Sequence, residues 1–120
     1  MSRDGNLVLG RAWIDAFNRR DLDALIALYD DACTHTSPKL RVQRPESGGA
    51  IRGKDALRAW WADAYARLPG LRYELLTITA DDDRVWLEYT RHAPGDAPYP
   101  VAEAFDARDG RIVASRVFHG

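Results

Sequence analysis

The chain has 120 residues, of which 46% are hydrophobic and 29% charged, and its formal net charge is -1. That length fits a single domain over residues 1–120 with enough core to fold without a metal or a disulfide. Acids and arginines are interleaved instead of blocked, which gives no surface for nucleic acid or membrane. Cys33 stands alone, so no intrachain disulfide can form, the N-terminal residues lack an apolar signal core, and no run approaches the about 18 apolar residues of a membrane span. A cytoplasmic protein is expected.

Taken in order, Leu9, Trp13, Ala16, Phe17 and Arg20 recur at helical spacing and predict an amphipathic helix over about residues 6–19. Asp21 can cap a short second helix with Leu22, Leu25, Ile26 and Tyr29 on one side. The β-prone run from Cys33 to Ser37 stops at Pro38 and reads as a short strand, with Cys33 and His35 on one face. Residues 38–51 are basic, contain Pro and Gly and lack a period, which predicts a mobile loop with an edge strand near residues 40–42.

Leu57, Trp60, Trp61, Ala64, Tyr65 and Leu68 then hold a helical pattern until Pro69 and Gly70 stop it. Of the two adjacent tryptophans, Trp61 is expected inward and Trp60 at a seam or subunit contact. Residues 72–80 and 84–92 alternate around three aspartates as a hairpin, with Val85, Leu87, Tyr89 and Arg91 sharing one face. A terminal hairpin turns at Asp109 and Gly110. The order of elements predicts an α+β fold with helices on one side of a curved sheet.

A two-residue turn pairs Arg108 with Arg111, and counting back sets Phe105 opposite Ala114, Glu103 opposite Arg116 and Val101 opposite Phe118, all on one face. That face is apolar except for Glu103 and Arg116, which form either part of a pocket or a structural ion pair. Burial pushes such a glutamate towards the neutral acid, whereas a neighbouring arginine holds it as carboxylate. A three-residue turn slips the register, with Glu103 then placed opposite Ser115. The three histidines and Cys33 lack the spacing of a metal site, so no metal is expected. Trp13, Phe17, Tyr29 and Trp61, with Tyr65, Tyr89 and Phe105, are first of all core aromatics. Together with Arg116 and Phe118 they are the candidate walls of a cavity for a flat, apolar ligand.

Residues 13–32, the Gly53-Lys-Asp-Ala-Leu57 segment, Pro69–Glu74 and Asp109–Val113 resemble, in order and spacing, the nuclear transport factor two-like superfamily. Within it the SnoaL-like polyketide cyclase and ketosteroid isomerase-like branch is the most similar. The resemblance spans nearly the whole chain. It implies a cone-shaped fold, a curved mixed or antiparallel sheet wrapped around three N-terminal helices, one apolar pocket and a homodimer. It does not imply one chemistry.

By the same resemblance, Glu103 takes the position of the pocket acid/base aspartate of the cyclases, and His35 that of a histidine frequent in SnoaL-like members. The isomerase general base would lie at or next to Thr36, where no carboxylate stands, and the isomerase tyrosine corresponds to Trp13, which offers only an N–H. Steroid isomerisation is therefore not expected. The implied function is cofactor-independent acid/base chemistry by Glu103 and His35 on an apolar cyclic or polyketide-like substrate, as an isomerase, cyclase or hydrolase-type enzyme. The alternatives are a ligand-binding module without turnover and a dimeric accessory or scaffold protein.

Overall fold

The computed structural model describes residues 2–120. Helix α1, Arg3–Asn18, starts at Ser2, whose hydroxyl accepts from the Gly5 N–H at 3.0 Å, and it buries Leu9, Trp13, Ala16 and Phe17 as their spacing predicts. Arg20 lies beyond the helix in the left-handed region, φ 59°. That turn sends its guanidinium to the carbonyls of Tyr65, Leu68, Pro69 and Leu71, the C-terminal end of a later helix, where a cation satisfies orphan acceptors. Helix α2, Leu22–Ala27, is capped by Asp21, which accepts from the Ala24 N–H.

Strand β1 runs Tyr29–Thr36, so Tyr29 belongs to the sheet and not to α2. The region read as a loop is ordered: α3 spans Pro38–Gln43, a 3₁₀ turn Pro45–Ser47, and strand β2 Ala50–Arg52. The expected edge strand near residues 40–42 is helix instead, because Ser37 caps the Leu40 N–H, Pro38 takes the first helical position and Leu40 is fully buried. Helix α4, Lys54–Arg67, follows Gly53 at φ 87°. Its Trp60 and Trp61 straddle the buried face and are both 5% exposed, so Trp60 does not sit at an open seam.

Strands β3, Arg72–Ala80, and β4, Arg84–His92, form the first hairpin, and β5, Tyr99–Arg108, and β6, Arg111–His119, the second. The sheet order is β2-β1-β6-β5-β4-β3, with β1 parallel to β6 and every other pair antiparallel. The sheet is curved and unclosed, and the architecture is α+β with four helices where three were expected. One continuous cluster of buried residues fills the space between helices and sheet. Among the described residues no helix is long and apolar enough to cross a membrane.

The terminal hairpin has the two-residue turn, with Asp109 and Gly110 both at positive φ and Arg108 opposite Arg111. Ala107 pairs with Ile112 but Asp106 pairs with Ala114, which leaves Val113 as the extra residue of a bulge. Beyond it the expected register is overturned: Phe105 faces Ser115, Glu103 faces Val117 and Val101 faces His119. Glu103 is therefore opposite neither Arg116 nor Ser115. Arg116 faces Ala104 on the outer side of the sheet, where its guanidinium donates to both carboxylate oxygens of Asp106 at 2.8 and 3.1 Å. The Glu103–Arg116 pair does not exist.

Candidate functional site

A cavity of about 220 Å³ opens between α3, α4 and the inner face of the sheet. Alternation along β4 and β5 points Tyr89, Arg91 and Val101 inward, and the bulge in β6 does the same for Ser115, Val117 and His119. His35, Trp60, Trp61, Tyr73, Tyr89 and Val117 line the interior, while Lys39, Gln43, Arg67, Arg91, Asp96 and His119 also contribute polar groups to the lining.

His35 is 1% exposed. Its Nδ1 lies 2.6 Å from the Ser115 hydroxyl, and its Nε2 has no protein partner. The register that pairs β1 with β6 places these two residues side by side, so the bulge is what brings a hydroxyl, and not Arg116, to the histidine. Burial lowers the His35 pKa to about 4, and the ring is a neutral imidazole at neutral pH. Trp61 packs against it at 5.5 Å between ring centroids.

Glu103 is fully buried and is not among the lining side chains. Tyr89, which is, donates its hydroxyl to Glu103 Oε1 at 2.9 Å, and Oε2 has no partner. Burial pushes the Glu103 pKa up to about 8 against the opposing effect of the Tyr89 hydrogen bond, so the carboxyl is held protonated at neutral pH. Burial and the neighbouring Glu103 raise the Tyr89 phenol well above its ordinary value, and Tyr73 stacks on it at 4.1 Å.

The structure thus brings His35, Trp61 and Tyr89 to one cavity. Trp13, Phe17, Tyr29 and Phe105 lie behind it in the core, Trp13 donating its indole N–H to the Tyr29 hydroxyl at 2.9 Å. Tyr65 fixes α4 to α1 by donating to the Phe17 carbonyl at 2.7 Å and does not line the cavity. Arg116 and Phe118 stand on the outer face, where Phe118 stacks on Trp86 at 5.9 Å. Sequence reasoning missed Tyr73, Lys39, Val117 and His119 as lining residues. Arg91 carried a signal, since it shares a face with Val85, Leu87 and Tyr89. Among the described residues no three His, Cys, Asp or Glu side chains converge as a metal would require.

The family model described as a SnoaL-like domain matches residues 10–115. The chain belongs to the SnoaL-like domain family. This SnoaL-like chain is 30% identical to a SnoaL-like protein of unknown function from Burkholderia thailandensis, with a TM-score of 0.88 over 99% of this chain and 97% of that one. Two solved structures share the fold at lower identity. TerC, co-crystallised with polyporic acid, is 19% identical with a TM-score of 0.82 over 97% of this chain and 92% of its own. A candidate polyketide cyclase from Sinorhizobium meliloti is 22% identical with a TM-score of 0.77 over 92% and 93%. No curated protein matches the SnoaL-like chain.

Proposed function

We propose that the cavity binds an apolar cyclic small molecule and that His35 and the Tyr89–Glu103 pair move a proton on it without a cofactor. The observation that carries this reading is the pairing at one cavity of a neutral imidazole whose buried Nε2 has no partner with a phenol backed by a protonated carboxyl. Nε2 takes a proton from the carbon beside a ligand carbonyl. The Tyr89 hydroxyl turns to the developing enolate oxygen, and the Glu103 carboxyl, a positioning residue, donates to the Tyr89 oxygen in its place. The position of Glu103 behind Tyr89 favours a second reading, a ligand-binding module without turnover.

Exchange of the α-hydrogens of 2-tetralone in D₂O, followed by NMR, separates the two. The catalytic reading expects acceleration over buffer, reduced by about 10²-fold or more in His35→Gln and Tyr89→Phe. Binding of the ketone without acceleration supports the binding module, and failure to bind rejects both.

The same reading places the protein in the cytoplasm as a homodimer. Leu76, Trp86 and Phe118 are 60%, 36% and 47% exposed on the outer face of the sheet, a patch that a second copy would cover. Val117, on the same strand as Phe118, faces the cavity and is not part of this patch. Light scattering should give a dimer that Trp86→Glu/Phe118→Glu dissociates. A wild-type monomer at tens of micromolar would reject the claim.

A further inference from the structure

Resting on the reading that the cavity is a ligand site, we infer that its ligand is a one- or two-ring carboxylic acid, with its rings against the aromatic walls and its carboxylate among Lys39, Arg67 and Arg91. These cations come from three separate elements, α3, α4 and β4, and all line the same cavity, with Asp96 the one carboxylate in the lining. The chain as a whole carries a net charge of -1, so a local excess of cations is not the background of a basic protein.

Neighbouring acids do not discharge the excess. Arg67 is held by Asp63 at 2.9 Å, and Arg91 reaches Asp96 through Nη1 alone at 3.2 Å. Counting both acids still leaves Lys39, which has no salt bridge among the described residues. Arg91 is the unusual member, because its side chain, only 5% exposed, lines the cavity while its partner Asp96 is 53% exposed. A buried guanidinium with donors to spare is suited to a carboxylate, which it can grip with two hydrogen bonds. The groups also feel one another: burial first, then Arg91 and Arg67, depress the Lys39 amine, with Asp96 opposing. Burial, then Lys39 and Arg91, depress the His119 imidazole in the same way. An anion among them relieves that repulsion, and low-dielectric walls focus the field on it.

The volume sets the size of the rest of the ligand. An engineered apolar cavity of about 150 Å³ holds benzene, so about 220 Å³ takes one substituted ring or two fused rings and not a tetracyclic skeleton. Trp60, Trp61, Tyr73 and Tyr89 offer flat faces for those rings.

The test compares 2-naphthoate with the neutral isostere 2-naphthamide by calorimetry and tryptophan fluorescence on wild type, Lys39→Gln, Arg91→Gln and Ala64→Phe. Lys39 is half-buried and bonds to no other side chain, so its substitution keeps the fold, while Ala64→Phe fills the cavity. The inference expects wild type to bind the acid at least about tenfold more tightly than the amide, as a charge-assisted hydrogen bond gives. Lys39→Gln should cut that ratio by roughly threefold or more with amide binding unchanged, and Ala64→Phe should lose both ligands. Equal affinities for acid and amide overturn the carboxylate and leave the cavity reading standing. No binding of either overturns both. A preference for the acid that survives intact in Lys39→Gln and in Arg91→Gln places the carboxylate elsewhere and overturns the inference.

Discussion

Between pH 6.5 and 8 the protein should lose about 2 kcal/mol of stability, and Glu103→Gln should abolish that loss. The Glu103 pKa rises from 4.5 to about 8 on folding, so in that window the native state binds a proton that the unfolded chain has released. Stability falls as pH rises wherever the native state binds more protons, by about 1.4 kcal/mol per pH unit for one group. His35 works in the opposite sense. Its pKa falls from 6.5 to about 4, so the unfolded chain binds the extra proton and stability rises with pH up to 6.5. His119, also lowered by burial, adds in that direction.

From pH 4.5 to 6.5 the two buried groups therefore offset each other and the wild type shows a near-plateau. Between 6.5 and 8 the contributions of His35 and His119 fade as both become neutral in the unfolded chain too, and Glu103 dominates. Urea midpoints collected from pH 4.5 to 9 decide it. In Glu103→Gln the decline above 6.5 should be gone and the histidine-driven rise below 6.5 laid bare. A decline of equal size in the variant would show that another group causes it and that Glu103 is not held protonated.

Phe17→Ala should cost about 3–5 kcal/mol, as truncation of a sealed core aromatic does, and Trp61→Ala clearly less. Phe17 is fully buried, with Tyr73 stacked on it at 3.9 Å and 6° and with Trp13, Trp61 and Tyr65 all within 5.4 Å. Its removal leaves a void that these rings cannot collapse into. Trp61 is also buried, at 5% exposed, but it lines a cavity that already exists and its indole N–H has no partner. Its truncation enlarges an opening and removes an unsatisfied donor, and both reduce the cost. Denaturant midpoints check the difference, and equal losses would show that Trp61 is sealed in the core and that the cavity is closed there.

Much of the scaffold was legible because its signals are local. Strands β3 and β4 have the bounds that alternation predicts, Arg72–Ala80 and Arg84–His92. The Asp109-Gly110 turn has the geometry that only residues tolerant of positive φ allow. Helix α3 carried a local signal too, the Ser37 cap with Pro38 behind it, which the basic composition of the segment masked.

The bulge was not legible. Ile112-Val-Ala-Ser115 contains no glycine or proline to mark an extra residue, and a shift of one position exchanges the two faces of everything after it. That single position turned the expected Glu103–Arg116 pair into two unrelated features on opposite sides of the sheet. Whether a buried residue touches a cavity or stands behind one that does, as Glu103 stands behind Tyr89, depends on packing in three dimensions and has no sequence period.

The parallel pairing of β1 with β6 also fixes when during synthesis the site can exist. His35 emerges early, but its hydrogen-bond partner Ser115 lies 80 positions later. The β3–β4 and β5–β6 hairpins close over short loops, whereas joining β1 to β6 must close a loop spanning most of the chain, the slow kind of contact. A nascent chain lacking β6 leaves the facing edges of β1 and β5 unpaired and His35 without its Ser115 partner. The histidine side of the cavity is thus completed last, with the sheet, and a stalled or truncated chain presents two open edges to its neighbours.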